Sequence, residues 1–474
     1  MAQEPETYYI KEGFKVIERF FEVPLDHNNS SGEKIRVFAR NIVPRAKAKT
    51  QEDEERLSYV VFLQGGPGFE VPLLSNSGIC SELHDRGYQT LWLDQRGTGL
   101  STPFSIETLP SHVKTDQQIA DYLKFFRADS IVKDCEVIRK ALLGSRPEEE
   151  QKWSLFGQSF GGFCSITYLS FFPEGLKEVF LTGGLAPLID HPDPNYEATA
   201  KTVIARNHKY YEKYLRDVQR VCFSNFAPSS FCGTENGIGT RKVRDIVAYL
   251  ESNDVQLPNG GHLSVNRWQG LGIDFGAAEI VLRAANDLEL FGKLSYKVLQ
   301  TIQNSQSLDG NPIYAILHEP IYCQGKASNW AAKRVTQKYS HFSWQHVKSL
   351  QNDAPLWFTG EMIFPENFDD YANLRPLKGA AELLAQDSSW GQLYDLDQLS
   401  KNTVPVTTAT YYDDMQVPSL VLATYVPFEL CQETVARIKN TEQYITNQLQ
   451  HGGIREDPRD VMRRLFQISK REFD

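Results

Sequence analysis

The sequence lacks the features that would place it in several large classes. It has no dense block of lysine and arginine, and its formal charge is −10. The basic footprint with which nucleic-acid binders hold phosphates is therefore absent. No run of 18 apolar residues occurs, and the opening MAQEPETYYIKEGFKV has neither a basic segment nor an apolar one. The expectation is a soluble, cytosolic chain that engages no membrane. Cysteines stand at 80, 135, 164, 222, 232, 323 and 431, an odd number with no Cys-x-x-Cys pair. That argues against a disulfide framework and a structural zinc. There is no Walker-type loop, and His318-Glu319 lacks the second histidine of a zinc-protease helix. Gly270 and Gly272 do not follow a predicted strand, so they make no dinucleotide fingerprint. No cofactor and no metal are expected.

What is present is a strand–helix rhythm. VIERFFEV and KIRVFARNIV read as paired strands around a polar turn, DHNNSSGE. A charged loop is expected from Lys47 to Arg56. Short apolar runs follow at Tyr59–Leu63 and Gln89–Leu93. Ile131, Cys135, Ile138 and Leu142 fall at helical spacing within Asp129–Leu143, and Asp129 or Ser130 can cap that helix. Residues 153–156, WSLF, read as a strand that runs into Gly157-Gln158-Ser159-Phe160-Gly161. A small-residue helix then stops near Pro173, and Glu178–Thr182 is a further strand. Alternation of this kind predicts a mostly parallel sheet flanked by helices.

The rhythm breaks at about residue 190 and resumes at about 376 with LRPLKGAAELLA and the strand VPVTTATYY. Residues 1–189 and 376–474 are therefore read as two parts of one core. Residues 190–375, aromatic-rich and mainly helical, are read as an inserted cap.

Gly-x-Ser-x-Gly alone is a modest signal, but a strand before it and a small-residue helix after it are the setting of a nucleophile elbow. A serine hydroxyl needs a base. Of the ten histidines only His451 lies beyond the Asp413-Asp414 pair, in the order serine, acid, histidine that the α/β-hydrolase fold uses. Asp414 is the first choice of acid and Asp413 the fallback. The acid would orient the imidazole and stabilise the imidazolium. The amides of Phe160 and of Gly66, in the glycine loop after the early strand, are the candidate oxyanion hole.

The motifs GGPG (65–68), DQRGTG (94–99), GQSFGG (157–162), LHEPIYCQG (317–325), FTGEMIFP (358–365), YYDDM (411–415) and QYITNQLQHGGIR (443–455) span nearly the whole chain. They resemble those of the proline iminopeptidases, the longer fungal-type members in particular. The resemblance implies release of an N-terminal residue, usually proline, through an acyl-enzyme. It also implies a cap whose glutamates bind the substrate's free amine. Glu319 matches that role best and Glu361 is the weaker match. Gln64 stands where the widespread form of the glycine motif has histidine. The segment Pro418–Leu430 reads as an insertion that lengthens the Asp414-to-His451 interval.

Two other readings stay open. The same machinery could act on another amide or ester, for instance in a biosynthetic pathway. The fold could also serve as a non-catalytic binding scaffold.

Overall fold

Nine strands pair into one sheet in a computed structural model that describes residues 6–10, 13–72, 78–222, 238–274, 278–350, 354–412, 426–449 and 451–472. They are β1 (Glu6–Ile10), β2 (Phe14–Pro24), β3 (Lys34–Pro44), β4 (Ser58–Leu63), β5 (Tyr88–Leu93), β6 (Trp153–Gln158), β7 (Leu176–Thr182), β8 (Val406–Tyr411) and β9 (Thr441–Thr446). The spatial order is β1-β2-β3-β5-β4-β6-β7-β8-β9. From β1 to β5 the pairing is antiparallel, and from β5 through β9 it is parallel.

The central strands are short apolar runs because helices cover both faces. Tyr59 to Leu63 of β4 are all buried. The helix Ala128–Leu143 and the helix Phe160–Phe171 cover one face, where Ile131, Cys135, Ile138, Phe163 and Leu169 share a core with Val61, Leu91 and Leu155. The helix Pro458–Ser469 covers the other through Val461, Met462 and Leu465. Sheet order reverses around β4, so the carboxyl ends of β4, β6, β7 and β8 open onto one edge, where ligands of open α/β sheets bind.

The Lys47–Arg56 stretch differs from its expected loop, since Gln51–Arg56 is a helix. Its start is fixed by a capping box. Thr50 Oγ1 accepts from the Asp53 amide at 3.2 Å, and Asp53 Oδ2 accepts from the Thr50 amide at 2.9 Å.

Between β7 and β8 the described residues form helices joined by loops, with no strand apart from one isolated bridge joining Gln256 and His262. Much of this insert packs around its own apolar core, with Trp268, Ile246, Val203, Val347 and Leu356 buried together. Gly272 serves that packing, because a Cβ there would stand 2.2 Å from the Thr359 carbonyl oxygen. Residues from Leu308 to Cys323 belong instead to the core on the sheet side. Buried Arg127 fastens them there, donating to the carbonyls of Pro320 (3.0 Å), Cys323 (2.7 Å) and Gly391 (2.9 Å).

Candidate active site

Ser159 follows β6 directly and precedes the helix Phe160–Phe171, with φ 54° and ψ −123°. Such a backbone is strained for a non-glycine residue and occurs where surrounding structure enforces it. The enforcement is visible in its neighbours. The Ser159 amide donates to the Thr182 carbonyl at 3.1 Å, and the Gly162 amide donates to the Ser159 carbonyl at 2.8 Å. The helix lies so close to the sheet that a Cβ on Gly161 would meet the Leu63 carbonyl oxygen at 1.9 Å. One on Gly162 would meet the Gly184 carbonyl oxygen at 2.0 Å. Phe160 is the first helical residue, so its amide has no intrahelical acceptor.

The glycine loop after β4 lies against this serine. A Cβ on Gly65 would be 2.9 Å from Ser159 Cβ and 3.3 Å from its Oγ. Gly66, next in the loop, has φ 135°, a backbone that side chains rarely adopt. Gln64 spans the loop by donating from Nε2 to the Glu70 carbonyl at 3.2 Å. Its own carbonyl accepts from Gln95 Nε2 at 3.0 Å. Asp94 ties the loop's exit, accepting from the amides of Val71 (3.0 Å) and Leu100 (2.9 Å). Burial raises the Asp94 pKa. Arg96 is buried and forked onto Asp134 at 2.7 and 2.5 Å. The DQRGTG motif thus supports the loop from beneath.

His451 reaches the same place from the far end of the chain. A Cβ on Gly183 would stand 3.0 Å from His451 Nδ1, and the next glycine, Gly184, abuts the Ser159 backbone. Gly453 lets the turn close on Tyr411, and Arg455 Nη2 donates to Gln158 Oε1 at 2.9 Å. Ser159 is 0% and His451 2% exposed, so both are enclosed. Asp413 and Asp414 lie outside the described residues.

Two buried carboxylates stand in the insert. Glu319 accepts from the amides of Ala331 (3.1 Å) and Ala332 (2.9 Å), so it holds the start of the helix Ala331–Thr336. Burial raises its pKa. Glu361 is reached by the Tyr314 hydroxyl and lies 3.6 Å from His318 Nε2. The Tyr196 hydroxyl hydrogen-bonds His318 Nδ1 at 2.8 Å, and burial lowers the His318 pKa to about 4, so the imidazole is neutral at pH 7. Tyr314 connects this network to the glycine loop. Its ring packs edge-on against Phe69 at 5.3 Å, and a Cβ on Gly68 would be 2.8 Å from the Tyr314 amide nitrogen.

Tyr322 packs on Phe163, one turn beyond Ser159, with ring centroids 5.6 Å apart, and accepts from Asn195 Nδ2 at 3.2 Å. Trp330 packs on Phe368 and donates to Glu382 at 2.8 Å.

The structure therefore brings Ser159, the Gly65–Gly66 loop and His451 to one edge of the sheet, with Glu361 linked to that loop through Tyr314. Glu319 serves a helix start. Sequence reasoning missed Tyr314, Tyr196, Asn195 and Arg127, which carry no motif; the first three lie in helices and Arg127 immediately precedes one. His318 was weighed only as half of a zinc signature. A cleft of about 980 Å³ opens nearby between Ile189, Gln324, Trp390 and Asp395, but neither Ser159 nor His451 lines it. Among the described residues no helix is long and apolar enough to cross a membrane, and no cluster of three acidic, histidine or cysteine ligands is present.

Known proteins resemble this chain over nearly its whole length. A family model described as the alpha/beta hydrolase fold matches residues 59–264. A proline iminopeptidase of Aeromonas sobria is 40% identical over 467 residues, 98% of each chain. The proline iminopeptidase aneH of Aspergillus aculeatus is 37% identical over 461 residues, 96% of this chain and 93% of that one. The chain belongs to the proline iminopeptidase family, on the α/β-hydrolase fold.

Proposed function

We propose that this protein is a serine aminopeptidase that releases N-terminal proline, or a similar small residue, from peptides with a free amino end. The observation that carries the reading is the placement of Ser159, strained at φ 54°, against the glycine loop and of His451 against Gly183, whose neighbour Gly184 abuts the Ser159 backbone. Near-complete alignment with proteins named proline iminopeptidases supports the substrate class.

Ser159 attacks the first peptide carbonyl, and His451 takes its proton and returns it to the leaving amine. Asp414 orients His451, with Asp413 as the alternative. The Phe160 and Gly66 amides stabilise the oxyanion, a contribution of about 3 kcal/mol per donor in comparable sites. Water then frees the amino acid. Residues 190–375 act as the cap. Within it Glu361 anchors the substrate ammonium, because it adjoins the glycine loop through Tyr314. Glu319 contributes at longer range, since its oxygens already serve two amides. A buried carboxylate favours a cationic partner, and an ammonium supplies one. Cys80, Cys135, Cys164, Cys323 and Cys431 are free thiols, which suits a cytosolic site of action.

Turnover of prolyl-, alanyl- and N-blocked prolyl-arylamides tests the reading. The expected result is cleavage of the free prolyl substrate, rejection of the blocked one, and loss of turnover in Ser159→Ala. Equal cleavage of the blocked substrate would point to the other amide or ester hydrolases of this fold. No reaction of Ser159 with a fluorophosphonate would leave a binding scaffold.

A further inference from the structure

Of the buried polar side chains on the helix Asp193–Cys222, two stand apart. Asn195 is 3% and Thr199 4% exposed. Neither Asn195 Oδ1 nor Thr199 Oγ1 has a hydrogen-bond partner among the described residues. Buried polar atoms are nearly always paired, and an acceptor left unpaired is destabilising. Two such atoms one turn apart lie on neighbouring parts of one helix surface.

The same helix surface borders the carboxylate network. Tyr196, beside Asn195, hydrogen-bonds His318, which faces Glu361 at 3.6 Å. Val203, one turn beyond Thr199, is the nearest neighbour of Gly360, where a Cβ would stand 2.6 Å from its Cγ2. Asn195 itself uses only its amide Nδ2, donating to the Tyr322 hydroxyl at 3.2 Å. Tyr322 in turn packs against Phe163, near the elbow. A substrate ammonium held by Glu361 would offer its remaining N–H group to a second buried acceptor beside it.

We infer that Asn195 belongs to the amine subsite, its Oδ1 accepting one N–H of the substrate's N-terminal ammonium while Glu361 accepts another. This rests on the aminopeptidase reading. A secondary prolyl ammonium has two N–H groups, which these two acceptors match. Asn195 is thereby a specificity-determining residue contributed by the first helix of the insert.

Steady-state kinetics of the full chain on prolyl-arylamide test the assignment with Asn195→Leu and Asn195→Asp. Both variants lose the amide that donates to Tyr322, but only the aspartate keeps an acceptor at Oδ1. The leucine variant is expected to raise KM about tenfold or more, with kcat within about threefold, as loss of one charge-assisted hydrogen bond implies. The aspartate variant is expected to keep KM within about threefold of the parent. A KM rise of equal size in both would assign Asn195 to supporting Tyr322, and no rise in either would remove it from the subsite. Fluorophosphonate labelling counts folded sites. Should the leucine variant fail to fold, the aspartate variant decides alone, because a tenfold KM rise in it overturns the inference. If the parent enzyme releases no proline, the activity reading fails and the inference falls with it. Normal proline release with either contrary variant pattern overturns the inference alone.

Discussion

The elbow around Ser159 and the polar network of the insert are both buried, yet they are built in opposite ways. At the elbow the critical contacts run between backbones, and they come from consecutive residues at 64–68, 157–162 and 183–184. In the insert they run between side chains at 195, 196, 314, 318, 322 and 361, drawn from several helices and loops. A backbone approach that leaves no room for a Cβ tolerates only glycine, whereas a side-chain contact can be met by many residue pairs. The first arrangement is rigid in sequence and the second is not.

The largest effect should come from breaking the elbow. Gly162→Ala places a methyl 2.0 Å from the Gly184 carbonyl oxygen, and neither backbone can yield without moving β7 or the helix. Loss of more than about 4 kcal/mol is expected, in the range reserved for severe core strain. Gly310→Ala, where a Cβ meets nothing within 4 Å, is the control and should cost under about 0.5 kcal/mol. Urea denaturation of the two variants measures the contrast. Near-equal midpoints would erase the distinction drawn here.

Arg127 ties the segment that carries part of the insert's network to the sheet side. Arg127→Met removes the donors to three carbonyls and leaves buried acceptors behind. A loss of about 3 kcal/mol is expected, at 1–3 kcal/mol for each unsatisfied group with partial relaxation. Since the freed segment carries Glu319 and Tyr322, KM for a prolyl-arylamide should rise more than kcat falls. A variant that loses stability with unchanged KM would show that the segment holds its place without the clamp.

The same contrast explains what could be read from the sequence. The parallel sheet, the elbow and the late histidine were legible because each is marked by a local pattern, such as GQSFGG after a buried strand or a lone His451 after Asp413-Asp414. The helix Gln51–Arg56 was missed because its signal is one capping box in a charged stretch with no apolar face. The motif match ranks Glu319 before Glu361, and their surroundings differ. The distinction depends on Ala331, Ala332 and Tyr314, whose proximity only the fold creates. Arg127 shows no sequence signal, since carbonyl acceptors belong to every residue type.

Acid should act on both regions. Burial lowers the pKa of His84, on the sheet side, and of His318, in the insert, each to about 4. The unfolded chain binds these protons near pH 6.5, so stability is complete above that value and falls as pH drops toward 4. Glu319 and Asp94, raised by burial, act with the opposite sign and lose stability as pH rises above the ordinary carboxyl range. Replacing His84, which contacts Thr90 Oγ1 at 3.1 Å, isolates one contribution. Between pH 6.5 and 5, His84→Gln should lose about 2 kcal/mol less than the parent, at about 1.4 kcal/mol per pH unit. Urea midpoints at the two pH values measure it, and parallel losses would exclude His84 as an acid-sensitive group.

The smallest effect is expected at Gln64, where a side chain supports the backbone-built region. Its Nε2 makes a single neutral hydrogen bond to the Glu70 carbonyl, at 3.2 Å, across the glycine loop. Such a bond is worth about 1 kcal/mol. The backbone carbonyl of residue 64 still accepts from Gln95 in any variant, and Asp94 still holds the loop's exit. Gln64→Ala should therefore lower stability by about 1 kcal/mol and change kcat/KM by less than about tenfold. A hundredfold fall would mean that the side chain sets the position of the Gly66 amide, and that the elbow depends on side-chain support as much as the insert does. A fall within the expected range would leave the glycines and their backbone contacts as the determinants of that loop.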